Sequence, residues 1–136
     1  MSQLHFQPIQ GRELDIIDAI LHTEEVAALD GCQRVVRLVA EELVVNIVDY
    51  AGSDYLDVET ELDKESITLR FRDGGVPFNP LDKEPLDTSL SMDEREVGGM
   101  GIFFVINYMD KVEYEYKDGE NVLTVRKKVK SKKVKK

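Results

Sequence analysis

Two segments of the chain alternate between apolar and polar residues with a period of two, and each is interrupted once by a polar turn. The first is "DYLDVETELDKESITLRFRD", in which the turn falls at Asp63 to Glu65, and the second is "KVEYEYKDGENVLTVRKKV", which turns at Asp118-Gly119. Alternation of this kind places one face of a strand in a core and the other face in water. Each segment therefore predicts a β-hairpin.

The segments before the first hairpin have helical spacing instead. Apolar residues recur three or four positions apart from Arg12 to Leu29, where Gly31 marks the end, and again from Gln33 to Ala51, where Gly52 does so. Leu4 to Ile9 alternate loosely and predict a short strand. Between the hairpins, "GIFFVINYMD" predicts a short apolar helix, although its β-branched and aromatic content leaves a strand open.

Separate helices and hairpins in this order predict an α+β fold. We expect a two-layer sandwich, in which the helices pack on one face of a mixed, mostly antiparallel sheet. At 136 residues the chain is long enough for one domain with its own core. No apolar run approaches the roughly 20 residues that span a bilayer, and no leader opens the chain. With Cys32 as its single cysteine, the chain is expected in the reducing cytoplasm, without a membrane partner.

The charge of the chain is unevenly distributed. Eight of its 18 basic residues lie within Arg126 to Lys136, which contain no acidic residue, so the rest holds 10 basic residues against 27 acidic ones. An acidic body argues against direct nucleic-acid binding, because phosphate contacts need basic patches. We divide the chain into a domain over residues 1–126 and a basic tail over residues 127–136, predicted to be disordered or to serve in docking.

Two polar side chains stand out on the second helix. Glu42 and Asn46 are four residues apart, so they project together from the edge of its apolar stripe. An Asn oxygen suits Mg²⁺, and a nearby Glu can deprotonate a hydroxyl or water. The alternative for Asn46 is a hydrogen bond to neighbouring backbone.

Two glycine-rich stretches lie farther along the chain. "FRDGGVPFNP" places Asp73 at a strand end before Gly74-Gly75, where the carboxylate could accept a hydrogen bond from an amine such as that of adenine. "VGGMGIFFVI" places Gly99 and Gly101 before a helix, where backbone N–H groups can bind phosphates. Each could also be an ordinary turn or flexible lead-in. The long polar segment between them, Gly74 to Val97, is expected to be a lid or binding loop.

These motifs together resemble the Bergerat-fold ATPases, the GHKL superfamily that includes histidine kinases and gyrase. Within it, the chain is most similar to small anti-sigma-factor serine/threonine kinases. "EELVVNIVDYA" resembles their N box, "DGGVPFNP" their adenine-binding box, and "GGMGIFFVINYMDKVEYEY" with "NVLTV" their lid and C-terminal hairpin. The resemblance covers about Leu4 to Arg126.

The resemblance implies a nucleotide site that holds ATP with Mg²⁺. In it, Asn46 holds the metal and Glu42 is the general base, while Asp73 receives the adenine amine. The other cofactor positions are Gly75 beside the adenine ring, Gly99 and Gly101 by the phosphates, and Thr124 supporting Asp73.

Two positions depart from the family's pattern. At position 50, many anti-sigma kinases carry His, whereas this chain has Tyr. Histidine kinases often have Tyr at the same place. The basic residue that often precedes the lid glycines is absent, and Arg95 is the nearest candidate.

The function that the resemblance implies is an ATP-dependent serine/threonine kinase that inhibits a sigma factor by binding it. Its substrate would be an anti-anti-sigma protein of the STAS type. A binding module that uses ATP structurally, without phosphorylating its partner, is the alternative, and Glu42 separates the two. A histidine-kinase catalytic fragment is disfavoured, because no helix pair bearing an acceptor His precedes the domain. The oligomeric state, a homodimer included, is left open.

Overall fold

The computed structural model describes residues 1–29, 31–79 and 105–129. Five strands form one sheet in the order β1-β2-β3-β5-β4, and every neighbouring pair is antiparallel. The strands are β1 Ser2–Phe6, β2 Leu56–Leu62, β3 Ser66–Asp73, β4 Lys111–Lys117 and β5 Glu120–Lys128; the helices are α1 Glu13–Leu21, α2 Glu24–Ala27 and α3 Gln33–Asn46, followed by a π-helical turn, Ile47–Ala51. The α+β prediction is confirmed.

Both predicted hairpins are present, and their turns follow from the local sequence. Between β2 and β3, the carboxylate of Asp63 accepts the backbone N–H groups of Glu65 and Ser66, each at 2.8 Å. Between β4 and β5, Asp118 and Gly119 both have positive φ, 55° and 79°, as a two-residue hairpin turn requires. This turn fixes the register of the second hairpin, which begins with Lys117 opposite Glu120.

The sheet buries one face against the helices. In β3, Ile67, Leu69 and Phe71 point inward and are almost completely buried. They share one core with apolar residues of α1 and α3, among them Ile16, Ile20, Val36, Val39 and Leu43. The inward face of the sheet and the apolar faces of α1 and α3 therefore pack together in one apolar layer.

The opposite face of the sheet is polar. Glu59 on β2 accepts hydrogen bonds from Arg70 at 2.9 Å and from Arg72 at 3.3 Å. Burial would raise the pKa of Glu59, but the two guanidinium groups lower it below its usual value. This face therefore carries ion pairs.

The first helical segment differs from the prediction. Instead of one helix from Arg12 to Leu29, the chain forms α1 and α2 with a break at Thr23. The Thr23 hydroxyl donates to the Ile20 carbonyl at 2.8 Å and accepts the Val26 N–H at 3.4 Å. It therefore closes one helix and caps the next.

The remaining boundaries are close to those expected. β1 starts two residues and ends three residues earlier than predicted, and the predicted helix after the long loop is present over residues 105–108. β5 continues to Lys128, two residues into the predicted tail. Among residues 1–29, 31–79 and 105–129, no helix is long and apolar enough to cross a membrane.

Candidate nucleotide-binding site

The candidate site begins at the end of β3, where the strand places the carboxylate of Asp73 inside the core layer. Asp73 is only 3 % exposed. Its Oδ1 accepts the backbone N–H of Gly75 at 2.9 Å and the side-chain Nδ2 of Asn121 at 3.0 Å. Within the described part of the chain both bonds are to Oδ1, so Oδ2 is left to accept a hydrogen bond from a ligand.

The electrostatic environment of Asp73 also favours a donor. Burial raises the pKa of this carboxyl, the hydrogen bonds from Asn121 and Gly75 oppose the rise, and the charge of Glu120 adds to it. A buried carboxylate with an unused oxygen is stabilised by any neutral N–H that reaches it. The exocyclic amine of adenine is a group of that kind.

The two glycines after Asp73 are held closely by their surroundings. The Gly74 N–H donates to the hydroxyl of Ser53 at 3.1 Å. Gly75 is buried beside the end of the π-helical turn, and the next residue, Val76, donates its N–H to the Ala51 carbonyl at 2.9 Å. The loop is therefore fixed to the end of the helix that carries Asn46.

Asn46 is the last residue of α3 and is 3 % exposed. Its Nδ2 is buried and has no hydrogen-bond partner among the residues the structure describes. An unsatisfied buried amide costs about 1–3 kcal/mol, so such groups are rare unless a ligand completes them. Its position next to a π-helical turn, a feature frequent at functional sites, points the same way.

Asn46 and Asp73, which lie far apart in the sequence, line the same small cavity. The cavity holds about 10 Å³, room for one water molecule. Because an adenine ring is much larger, the lining must move for a nucleotide to enter. The other lining residues are Leu43, Ile47, Phe71, Phe78, Tyr114, Asn121 and Leu123.

Phe78 is the lining residue whose side chain we expect to move when a nucleotide enters. Its ring lies 5.9 Å from that of Tyr50, centroid to centroid, at an interplanar angle of 31°. Tyr50 is about half exposed and Phe78 is partly exposed, so both side chains reach the surface. A displacement of Phe78 would therefore open the cavity without disturbing the core.

Glu42 lies one helical turn before Asn46 on α3, about 6 Å along the helix axis. It is half-buried, and burial raises the pKa of its carboxyl, with a smaller contribution from the charge of Glu41. A raised pKa makes a carboxylate a better proton acceptor. The structure therefore places the predicted base beside the predicted metal ligand.

The residues present fit a magnesium ion that arrives with a nucleotide. The described chain contains no group of three or more His, Cys, Asp or Glu side chains that could hold a metal by itself. Mg²⁺ commonly takes one or two protein oxygens and completes its shell with phosphate and water. The amide of Asn46 can rotate to present its oxygen, since no described residue holds its Nδ2.

The position predicted for Thr124 was wrong. Thr124 lies on the polar face of the sheet, where it accepts a hydrogen bond from Nε of Arg70 at 3.3 Å. Asn121 instead stands directly opposite Asp73 in the β3–β5 register and bonds to it. Residues three apart on a strand face opposite sides, so one strand cannot present both to Asp73.

Sequence reasoning also missed Ser53, which holds Gly74. Alternation along β5 puts Asn121 on the same face as Leu123 and Val125, but no local signal shows that this face meets Asp73. The lid glycines Gly99 and Gly101 lie outside the described residues, as do residues 80–97 of the predicted lid.

The fold, and a cavity lined by both Asp73 and Asn46, are those expected of a nucleotide-binding domain of the GHKL type. Residues 15–127 match the family model of the histidine kinase-like ATPase domain, and the chain belongs to that family. Membership implies that it binds ATP.

Individual relatives agree with this assignment. Serine/threonine-protein kinase BtrW of Bordetella bronchiseptica is 25 % identical over 116 residues, which cover 79 % of this chain and 82 % of BtrW. Among solved structures, histidine kinase AdeS of Acinetobacter baumannii has a TM-score of 0.56 at 12 % identity, covering 95 % of this chain and 68 % of that one. The catalytic domain of histidine kinase ThkA has a TM-score of 0.56 at 12 % identity, covering 96 % and 99 %. The structural likenesses show the fold alone.

Proposed function

We propose that this protein is an ATP-dependent serine/threonine kinase that acts as an anti-sigma factor. It would bind a sigma factor and phosphorylate a STAS-type anti-anti-sigma partner. The observation that carries the kinase part is that Asn46 and Asp73 line one cavity, with Glu42 one helical turn before Asn46 on α3. The name of BtrW, a serine/threonine-protein kinase, supports the same class of acceptor. Partners of this kind would place the protein in the cytoplasm.

In this proposal each residue has a separate role in phosphoryl transfer. Asp73 orients the nucleotide through the amine of its base, and Asn46 holds the Mg²⁺. When bound, the metal neutralises charge on the phosphates. Glu42 accepts the proton of the attacking serine or threonine hydroxyl. Phosphoryl transfer depends mostly on positioning and charge neutralisation, so no covalent protein intermediate is needed.

A second function, an ATP-binding module that controls a partner without phosphorylating it, is the main alternative. The small cavity gives it some support, because it ties nucleotide entry to a change in the lining. The two functions differ at Glu42. A module of this kind has no use for a carboxylate with a raised pKa beside the metal ligand.

The deciding experiment follows label from [γ-³²P]ATP to a purified STAS-domain protein encoded by a neighbouring gene. We expect transfer that is stable in acid and labile in base, as serine and threonine phosphates are, and not the acid-labile phosphate of histidine. Glu42→Gln should lower the rate about 10²–10⁴-fold, the usual scale of general-base catalysis, and leave ATP affinity nearly unchanged.

Glu41→Gln is the matched control for this variant. Glu41 is the neighbouring carboxylate on the same helix, and its Oε2 is paired with Nε of Arg37 at 3.2 Å. We expect it to retain the transfer rate within a few-fold. A wild-type protein that binds both ATP and the STAS protein yet transfers no phosphate would leave the binding-module function in place of the kinase.

A further inference from the structure

The side-chain amide of Asn121 forms hydrogen bonds with four different partners. It is 4 % exposed. Its Nδ2 donates to Oδ1 of Asp73 at 3.0 Å and to the Val76 carbonyl at 2.8 Å. Its Oδ1 accepts the Phe78 N–H at 2.8 Å and the Tyr114 hydroxyl. A side-chain amide has two N–H groups and two acceptor positions, so all of its hydrogen-bonding capacity is used here.

These bonds determine which atom of Asp73 can meet a base. Asn121 and Gly75 both donate to Oδ1, which fixes the plane of the carboxylate and leaves Oδ2 for the ligand. An oxygen in this position accepts the amine of adenine and repels the carbonyl oxygen that guanine carries at the same place. Selectivity for adenine over guanine therefore requires that the carboxylate of Asp73 keeps this orientation.

The same amide joins Asp73 to the segment that follows it. Val76 and Phe78 lie just before residue 80, and Phe78 lines the cavity that a nucleotide must open. Two of the four bonds hold the backbone of this segment. A shift of residues 76–78 would therefore move the side chain of Asn121, and with it the carboxylate of Asp73.

We infer that Asn121 is the positioning residue of the base site, which sets selectivity for adenine over guanine and couples Asp73 to residues 76–78. The first part rests on the proposed function, since it requires that ATP binds at Asp73. The second part is a property of the free protein. The two parts therefore call for separate measurements.

The first measurement uses Asn121→Asp, which has nearly the same shape. The new side chain keeps an acceptor for Phe78 and Tyr114 but replaces the donor to Asp73 with an oxygen. Two facing carboxylates then repel, with Glu120 adding to the negative charge. At lower pH the pair takes up a proton, and a neutral carboxyl donates again.

Calorimetry at pH 8 should show ATP binding about 10- to 100-fold weaker in Asn121→Asp than in the wild type, on the scale of one lost bond to a charged group. The ratio of ATP to GTP affinity should also fall. At pH 5.5, most of the ATP loss relative to wild type at the same pH should be recovered. Protonation of ATP affects the variant and the wild type equally at one pH, so it does not contribute to this difference. A purely structural role predicts a loss that does not recover, and that result would overturn the inference.

The second measurement needs no nucleotide. In Asn121→Ala the Phe78 amide loses its acceptor, so hydrogen exchange of this amide should become at least about tenfold faster. Thr124→Val is the matched control, on the same strand but on the opposite face, and should change neither exchange nor ATP affinity. Unchanged exchange in Asn121→Ala would refute the coupling.

Failure of the inference can be told from failure of the proposed function. If the wild type binds no ATP, the proposed function fails, while the exchange measurement still tests the coupling. If the wild type binds ATP and Asn121→Asp binds it equally well at pH 8, the proposed site stands and the role of Asn121 is excluded. Circular dichroism confirms that each variant is folded before either measurement.

Discussion

The carbonyl oxygen of Ala51 lies 1.9 Å from the position that a Cβ atom on Gly75 would occupy. No side chain fits at that distance, so the glycine is required by packing against the end of the π-helical turn. The same carbonyl accepts the N–H of Val76. The loop that carries the proposed base contact is thus in direct contact with the helix that carries the proposed metal ligand.

Gly75→Ala should therefore weaken ATP binding by at least about tenfold and destabilise the protein by about 1–3 kcal/mol, the usual cost of overpacking. Gly74→Ala is the informative comparison. A Cβ there would meet the ring of Tyr55 at 2.6 Å, and a side chain can swing aside where a backbone carbonyl cannot. Calorimetry and thermal unfolding should show a clearly smaller effect for Gly74→Ala. Equal effects would contradict the packing argument.

Asp73→Asn should weaken ATP binding and reduce its preference over GTP. The substitution turns a charged acceptor into an amide. If the amide oxygen keeps the bonds from Asn121 and Gly75, its NH₂ group faces the amine of adenine, and in the other orientation those two bonds are lost. Competition calorimetry with both nucleotides measures the change. If the wild type itself binds ATP and GTP equally well, Asp73 does not read the base.

The rate of phosphoryl transfer should depend on the ionisation of Glu42. Burial raises the pKa of this carboxyl, and the base works only when ionised. Activity should therefore fall on acidification at a higher pH than an ordinary Glu would give. Glu41→Gln removes the smaller cause of the shift, so its acid limb should move to lower pH. An acid limb that persists unchanged in Glu42→Gln would assign it to another group.

Acid stability should depend on Glu25, a carboxylate that is 8 % exposed. Burial alone would raise its pKa, but hydrogen bonds from Ser2, the α-amino group of Met1 and Thr60 lower it to about 2 from the ordinary 4.5. A lowered folded-state pKa stabilises the protein above pH 4.5, and this stabilisation is lost as the pH falls from 4.5 towards 2.

Glu25→Gln should accordingly lower the free energy of unfolding at pH 7 by about 2–3 kcal/mol and flatten its pH dependence between about pH 5 and 2. Glu24→Gln, the exposed neighbour, serves as control and should keep the wild-type profile. Urea unfolding followed by circular dichroism at several pH values provides the measurement. Identical profiles for the two variants would exclude the buried carboxylate as the cause.

Much of the fold could be predicted because its signals are local. Period-two alternation with Asp118-Gly119 at a turn predicts the second hairpin without reference to any other part of the chain. Helical spacing likewise places Glu42 and Asn46 on one side of a helix. The break at Thr23 was also locally encoded, by a capping residue before two acidic ones, but the continuous apolar spacing hid it.

The partner of Asp73 could not be predicted in the same way. Its identity depends on β5 lying beside β3, two strands separated in sequence by a long loop and β4. It also depends on their register, in which Asp73 faces Asn121 and Arg70 faces Thr124. A single strand shows which residues share a face, but not which face meets the core of a distant neighbour.

The π-helical turn has a consequence for how the segment from Asn46 to Gly52 can change in length. Each of its hydrogen bonds encloses one residue more than an α-helical bond does. Removing one residue from Ile47–Ala51 would let the turn close as an α-helix while Asn46 stays in place. The carbonyl of Ala51 would then be displaced by about 100° around the axis, away from Gly75 and Val76. A deletion here would therefore rotate the end of the helix and separate Asn46, the proposed metal ligand, from the loop proposed to bind the base.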